Sequence, residues 1–221
     1  MGAMTKALHI DFVSDVACPW CAIGLASLER AVQNLQGEVA IDLRFQPFEL
    51  NPQMGPEGQD ASEHLTQKYG STPEQQAKNR EGIAQRGASV GFEFRPEGRG
   101  RVWNTFDAHR LLQWAGELGP QQQRDLKMAL LKAYHGEARN LSDHAVLADV
   151  AASVGLDREE AQRILASDRY ADAVREAERH FQSLGIHAVP SVIVNDRHLI
   201  QGGQPPEVFE QALRQLAEQT A

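Results

Sequence analysis

The chain has 221 residues, enough for one to two domains and enough to bury a core without disulfide or metal staples. Its 22 Lys and Arg against 30 Asp and Glu leave a net charge of −8, which argues against a phosphate-tracking nucleic-acid surface. With 42% hydrophobic and 24% charged residues the composition is that of an ordinary soluble protein, and no apolar run approaches a membrane span.

Met1 to Lys6 carries no basic region followed by an apolar stretch and a cleavage site, so no secretory signal is read there. Met1-Gly2-Ala3 ahead of Met4 reads as an expression scar; a mature secreted form made without its signal is the alternative. Leu8–Val13 is a β-prone run and Val39–Phe48 a second. Between them Leu25, Leu28, Val32 and Leu35 recur at helical spacing, which predicts a helix from about Pro19 to Gln36, ended by Gly37. Strand, helix and strand with short joints make a βαβ unit, so these two strands are expected to be parallel.

From about Ser62 to Leu184 the sequence predicts helices and no strand. Thr72-Pro73 starts a weak, polar helix whose Glu74-to-Arg86 charge run reads as a solvated face, and Phe92–Arg101 reads as a Gly- and Arg-rich loop. Ala108, Leu111, Leu112 and Ala115 mark one helical face, Leu126, Leu130 and Tyr134 another, and Val146, Val150, Ala151 and Val154 a third. Asp157 and Glu160 have the spacing of a capping box, and Tyr170, Val174, Ala177, Phe181 and Leu184 form a stripe that stops at Gly185. Val189–Val194 and His198–Gln201 flank Asn195-Asp196, which predicts an antiparallel hairpin. Pro205-Pro206 then opens a last helix. The order is β-α-β, a long all-helical block, then β-β-α. Neither β-bearing end is large enough to fold alone, so they are expected to share one sheet, with residues 4–60 and 185–221 forming one domain and 61–184 an insertion.

Cys18-Pro19-Trp20-Cys21 carries the chemistry. These are the only two cysteines, so no disulfide framework holds the fold, which fits a reducing cytoplasm. A C-x-x-C pair is either half of a zinc site or a redox dithiol. Structural zinc needs four ligands, the chain has no second pair, and its eight histidines are scattered, so no metal is expected. Cys18 opens the first helix, where unpaired N–H groups and the helix dipole favour a thiolate and lower the pKa. Pro19 suits the first helical position because it has no N–H to waste. Cys21, one turn on, is expected to attack the mixed disulfide that Cys18 forms with substrate. Two inert buried cysteines are the plain alternative.

These residues resemble the thioredoxin fold with an inserted helical domain, as in the DsbA-like oxidoreductases. Within that group the chain looks most like the FrnE-like branch, the predicted dithiol–disulfide isomerases associated with polyketide gene clusters. The matching segments run from Asp15 to Gly24 (D-x-x-C-P-W-C-x-x-G), Phe48 to Pro52 (F-E-L-N-P), Asn104 to Leu111 (N-T-F-D-A-H-R-L) and Gly185 to Ser191 (G-I-x-x-V-P-S). The resemblance implies a cis Pro190 beside the cysteines and a Val189 backbone that receives an extended substrate strand. Pro19 and Trp20 join Val189 and Pro190 as expected substrate-binding residues, Trp20 as an exposed platform. It implies protein or peptide disulfide substrates, no resident cofactor beyond the cysteine pair, glutathione as a candidate reductant, and, since related enzymes often pair, an open question of a homodimer.

One departure matters. Thioredoxin-like enzymes often carry a buried acid six positions before the first cysteine, and here that position is Phe12. Proton transfer at Cys21 therefore needs another group or water. Asp15 and Glu49 are the nearest acids by motif, each expected to be a solvated loop residue. Asn104 is expected to cap the helix that follows it. His109, Arg110 and His187 have no role assigned from sequence. The competing function is a glutathione-dependent transferase or isomerase of the kappa-class or hydroxychromene-carboxylate isomerase type. Those enzymes use a hydroxyl where Cys18 stands and commonly Ser-Asp where this chain has Gly203-Gln204. A non-catalytic peptide-binding module is a third reading, disfavoured by two free cysteines at a helix start.

Overall fold

A computed structural model describes residues 6–219; the reading of the first five residues lies outside the described residues. Strand β1 (Lys6–Ser14) leads into α1 (Pro19–Asn34) and β2 (Val39–Pro47), and β1 and β2 pair in parallel from Lys6 against Val39 to Ser14 against Pro47. Leu8, Ile10 and Phe12 alternate onto one face of the sheet and are completely buried, as period-2 patterning requires. The α1 helix stops two residues short of the predicted end, and Gly37, at φ +83°, takes the left-handed turn that brings the chain back to β2.

At the far end of the chain β5 (Ser191–Val194) pairs antiparallel with β1, and β6 (His198–Gln201) pairs antiparallel with β5. The main sheet runs β2-β1-β5-β6, so the two ends do meet in one sheet. Asn195 and Asp196 both have positive φ, the conformation a two-residue hairpin turn demands. Helix α9 (Pro206–Gln219) closes the chain against α1 and β1.

Between β2 and β5 the chain is helical: α2 (Ala61–Tyr69), α3 (Pro73–Val90), α4 (Phe106–Leu118), α5 (Pro120–Leu131), a π turn (Lys132–Gly136), α6 (His144–Ser153), α7 (Arg158–Leu165) and α8 (Ala171–Ser183). The expectation of no strand here needs one correction. Gln59–Asp60 (β3) and Arg101–Val102 (β4) form a two-residue ladder. A two-residue strand has no periodicity for a sequence to show. The Asp157–Glu160 capping box is also only half present: Asp157 accepts from the Glu160 amide, but the Glu160 carboxylate is taken by Arg163 and Arg169. The complete box is instead at Thr72 and Gln75, on the helix read as weak.

The helices share a core with the sheet. Leu111, Leu126, Leu130 and Leu147 belong to the same buried cluster as Leu8, Phe12, Leu25 and Phe209, while Phe181 of α8 covers Val13 and Ile193 on the opposite sheet face. Edge strand β2 is covered by a side chain. Gln123 of α5 accepts from the Phe45 amide (3.0 Å) and donates to the Phe45 and Leu112 carbonyls (both 3.2 Å). Arg110, which had no role from sequence, is buried and donates to the Ile164, Ser167 and Arg169 carbonyls, tying α4 to the end of α7. Asn104 does not occupy the cap position expected of it: Thr105 is the N-cap of α4 and makes no side-chain cap bond, while Asn104, one residue earlier, accepts from the Phe106 amide (2.9 Å) in a local turn and donates its amide to the Met54 carbonyl (2.9 Å).

Two stability predictions follow from buried polar groups. Gln123→Leu keeps the volume but strands the Phe45 amide and carbonyl, so unfolding by denaturant is expected to show a loss of about 2–4 kcal/mol with an unchanged m-value. His135, on the π turn, is fully enclosed and donates to the Val16 carbonyl (2.8 Å); burial, aided by the Arg99 charge, lowers its pKa from 6.5 to about 3. Below pH 6.5 the unfolded chain therefore binds a proton that the folded chain refuses, and stability falls on acidification by up to roughly 1.4 kcal/mol per pH unit until about pH 3. His135→Gln is expected to flatten that slope in melts taken between pH 4 and 7.

Candidate active site

The site is built on the short loop that joins β1 to α1. Three successive carbonyls there are fixed. The Asp15 carbonyl accepts from the Cys18 amide (3.1 Å), the Val16 carbonyl from His135, and the Ala17 carbonyl from Arg99. His135 and Arg99 come from the helical segment, so the insertion holds the loop that presents the cysteines.

Asp15 anchors the same loop with its side chain. Its carboxylate accepts from the Ala17 amide (3.2 Å) and the Leu50 amide (2.8 Å) and lies 3.4 Å from His109 Nε2. His109 also donates to the Phe48 carbonyl (3.1 Å), so it does have partners. Asp15 is completely buried, which corrects its reading as a solvated loop acid. Despite that burial, the hydrogen bonds from His109, the Leu50 amide and Thr105 hold its carboxyl below the usual range, so it stays ionised. Glu49 is likewise not solvated. Its side chain is enclosed beside Arg175 and Glu178, and burial with the Glu178 charge pushes its carboxyl up. Motif spacing placed both acids on a loop, and nothing in spacing shows that α4 and α8 cover that loop.

Cys18 stands at the N-cap of α1, 5% exposed, with its Sγ donating to the Val189 carbonyl at 3.8 Å. Cys21, one turn along, is fully enclosed. The two thiols are asymmetric. The hydrogen bond from Cys21 is the largest cause lowering the Cys18 thiol, helped by the Cys21 and Trp20 amides and opposed by burial and the Asp15 charge. Cys21 is pushed well above the ordinary thiol value, first by burial and then by Cys18. The position at the helix start thus contributes as sequence suggested, but the neighbouring thiol contributes more.

Around this pair lie the other expected site residues. Pro19 is half-buried at the first helical position and Trp20 is 43% exposed. The Val189–Pro190 peptide is cis, the isomer the resemblance implied. Gly24 of α1 packs directly on this proline: a Cβ there would lie 3.1 Å from Pro190 Cγ. His187 is exposed and is not among the residues lining the cleft. Cys18, Pro19, Trp20 and Val189 open onto a cleft of about 890 Å³ whose opposite wall is α2, α3 and the 94–100 loop. The α3 charge run is therefore solvated along most of its length but lends Arg80 and Glu81 to the cleft.

Among the described residues, one group could gather metal-ligating atoms within 4.8 Å of one another: His9, Asp11 and Asp196, away from the cysteines. Its His9 already bonds Asp11 and Asp42 (3.2 and 3.3 Å). Besides His135, Arg99 and Thr105, which hold the loop, a further residue of the site had no place in the sequence reading. Lys127 of α5 is fully buried and its charge acts on Cys21. The available signal was its position four residues before Leu131 and seven before Tyr134, on a face that carries apolar side chains.

Comparison with known proteins agrees with this architecture. The chain aligns over 219 residues with the uncharacterized protein YwbO of Bacillus subtilis (strain 168) at 27% identity, covering 93% of this chain and 96% of that one. Its structure is similar to the crystal structure of the probable DsbA oxidoreductase SCO1869 from Streptomyces coelicolor, with TM-score 0.88 and 33% identity over 96% of this chain and 90% of that one. The cytosolic disulfide reductase DsbM from Pseudomonas aeruginosa, solved with GSH, shares the fold at TM-score 0.67 and 17% identity, over 95% of this chain and 99% of that one. The family model for the DSBA-like thioredoxin domain matches residues 9–214, and the chain belongs to that family.

Proposed function

We propose that the protein is a thiol–disulfide oxidoreductase or isomerase that exchanges disulfides with protein or peptide substrates through Cys18 and Cys21. The observation that carries this reading is the unequal pair at the start of α1: one thiol favoured as thiolate and touching the Val189 carbonyl at the cleft, the other enclosed behind it.

In the reducing direction the Cys18 thiolate attacks one sulfur of a substrate disulfide; the S–S bond breaks and the other sulfur leaves as thiolate. The Cys21 sulfur, once deprotonated, attacks Cys18 Sγ, closes the Cys18–Cys21 bond and releases the second substrate thiolate. Two electrons pass from the dithiol to the substrate, and oxidation of substrate is the reverse. Val189, beside the cis proline, offers backbone groups to an extended substrate segment, and Trp20 offers an apolar surface at the rim. Membership of the FrnE-like branch rests on the four motif segments quoted above.

Glutathione is the proposed reductant of the Cys18–Cys21 disulfide that substrate reduction leaves behind. Lys68 and Arg80 on the cleft wall could meet its carboxylates, beside Arg95 paired with Glu97 and Arg99 bonded to the Ala17 carbonyl, and DsbM has this fold and was solved with GSH. A cytoplasmic setting fits two cysteines used for exchange in place of a structural disulfide; among the described residues no helix is long and apolar enough to cross a membrane. The alternative, a glutathione transferase or isomerase, is disfavoured by a cysteine at position 18 and a second enclosed behind it.

Cys18→Ser is expected to abolish reduction of a model protein disulfide, and Cys21→Ser to accumulate a mixed disulfide at Cys18 visible by mass spectrometry. Turnover of glutathione with a small electrophile by Cys18→Ser would transfer the assignment to the transferase class. In the reduced protein Cys18 is expected to be alkylated faster than Cys21 near neutral pH, with a midpoint below that of a free thiol; equal rates would remove the proposed asymmetry.

A further inference from the structure

We propose that Gly203 is a specificity-determining position: it leaves the room in which the Trp20 indole lies at the cleft mouth, and the indole so held selects substrate segments with an apolar side chain beside the reacting cysteine. This rests on the dithiol reading above and adds to it the class of segment that the site takes.

The geometry begins with a glycine that its backbone does not require. Gly202 has φ +82°, where glycine is favoured, whereas Gly203 stays out of the left-handed region. What singles out Gly203 is space. A Cβ there would lie 3.2 Å from the Trp20 carbonyl oxygen, 3.3 Å from Cε3 of the indole and 3.5 Å from Ile23 Cγ2, all at the start of α1. The first two separations are tighter than ordinary van der Waals contact. Gly24 completes the seam from the helix side: a Cβ on it would lie 3.4 Å from Gly203 Cα and 3.1 Å from Pro190 Cγ. Glycine inside a helix is unfavourable against alanine. Close approach of α1 to the 202–204 loop is what it permits here.

The loop is held against that contact from both sides. Ser27 of α1 donates to the Gln204 carbonyl, and the Gly202 amide donates to the Pro190 carbonyl (2.9 Å). Ile23 is completely buried and the Trp20 carbonyl is part of the helix backbone. The indole, 43% exposed, is therefore the neighbour that yields when a side chain is added at position 203.

The place to which it yields carries the chemistry. Trp20 lines the cleft and Gly203 does not, so the ring stands between the 202–204 loop and the space that substrate enters. Ala17, Leu50 and Val189 line the cleft with Cys18, while the charged Lys68 and Arg80 stand on the α2–α3 wall. A segment received by the Val189 backbone sets the side chain beside its cysteine against the indole. Burial of apolar surface there favours an apolar side chain, and an indole pushed off its seat no longer offers that surface.

The test uses peptides whose single cysteine carries thionitrobenzoate in a mixed disulfide. The Cys18 thiolate attacks the peptide sulfur, the S–S bond breaks, and thionitrobenzoate leaves with the electron pair, so its absorbance gives the second-order rate. Three probes are compared: a cysteine flanked by Phe, one flanked by Ser, and N-acetylcysteinamide with no flanking residue. The parent is expected to favour the Phe-flanked probe over the Ser-flanked one by at least fivefold. In Gly203→Val that ratio should fall below twofold, with the unflanked probe still reacting within twofold of the parent rate. Trp20→Ala should lose the ratio as well, and Gly203→Val added to it should change the rates less than twofold, because both act through one ring. A parent without the preference, a ratio kept in Gly203→Val, an equal loss on all three probes, or additive losses in the double variant would each overturn the proposal. Absence of thionitrobenzoate release from every probe in the parent would instead sink the dithiol reading itself. Should Gly203→Val fail to fold, Gly203→Ala decides: its ratio is expected to drop at least twofold, and an unchanged ratio would overturn the assignment.

Discussion

The clamp on the Asp15–Ala17 loop is the constraint on which the site depends. Three consecutive carbonyls and one carboxylate are fixed there before the chain enters α1, by His135, Arg99, His109 and the local turn. A loop left free would let Cys18 rotate away from the Val189 carbonyl, and the amides of Trp20 and Cys21 would no longer converge on one sulfur. Because three of the clamping side chains belong to the helical segment, the sheet alone does not contain the site. The insertion is part of the machinery that aims the first cysteine.

The two sulfurs show how one turn of helix separates two chemistries. Cys18 sits where amide groups have no intrahelical partner and where the second thiol can donate to it. Cys21, a single turn deeper, meets only enclosed surroundings, and there the charged form is penalised. The first sulfur is thereby suited to attack and the second to wait as a thiol. A waiting thiol must lose its proton within an interior that already holds the Asp15 carboxylate.

The helical segment and the sheet are energetically inseparable for a second reason. Gln123 satisfies both backbone groups of Phe45 on the edge strand β2, so α5 does the work of a neighbouring strand. The same helix carries Lys127 four residues later, and the π turn that ends it carries His135. One helix therefore covers the sheet edge, buries a lysine whose charge acts on Cys21 and leads into the turn that clamps the loop before the sulfurs. Across the cleft, α2 and α3 form a wall that leaves Cys18 and Trp20 at its mouth.

Much of this was legible in the residues. Period-2 alternation in Leu8–Val13, helical spacing after Pro19 and the Asn195-Asp196 turn determined the elements at both ends, because each is a local pattern with a local cause. The C-x-x-C pair at a helix start placed the two thiols on one turn with Cys18 first, since two residues between cysteines span a single turn. Only the tertiary structure decided what covers the loop. Asp15 and Glu49 look alike in sequence, as acids beside apolar residues, yet one is locked as a carboxylate by α4 and the other is pressed against a second acid by α8. Lys127 reads as an ordinary helix lysine until packing encloses it. Burial and charge at these positions are set by residues 35 to 126 places away in the chain, and no local pattern carries information about contacts at that separation.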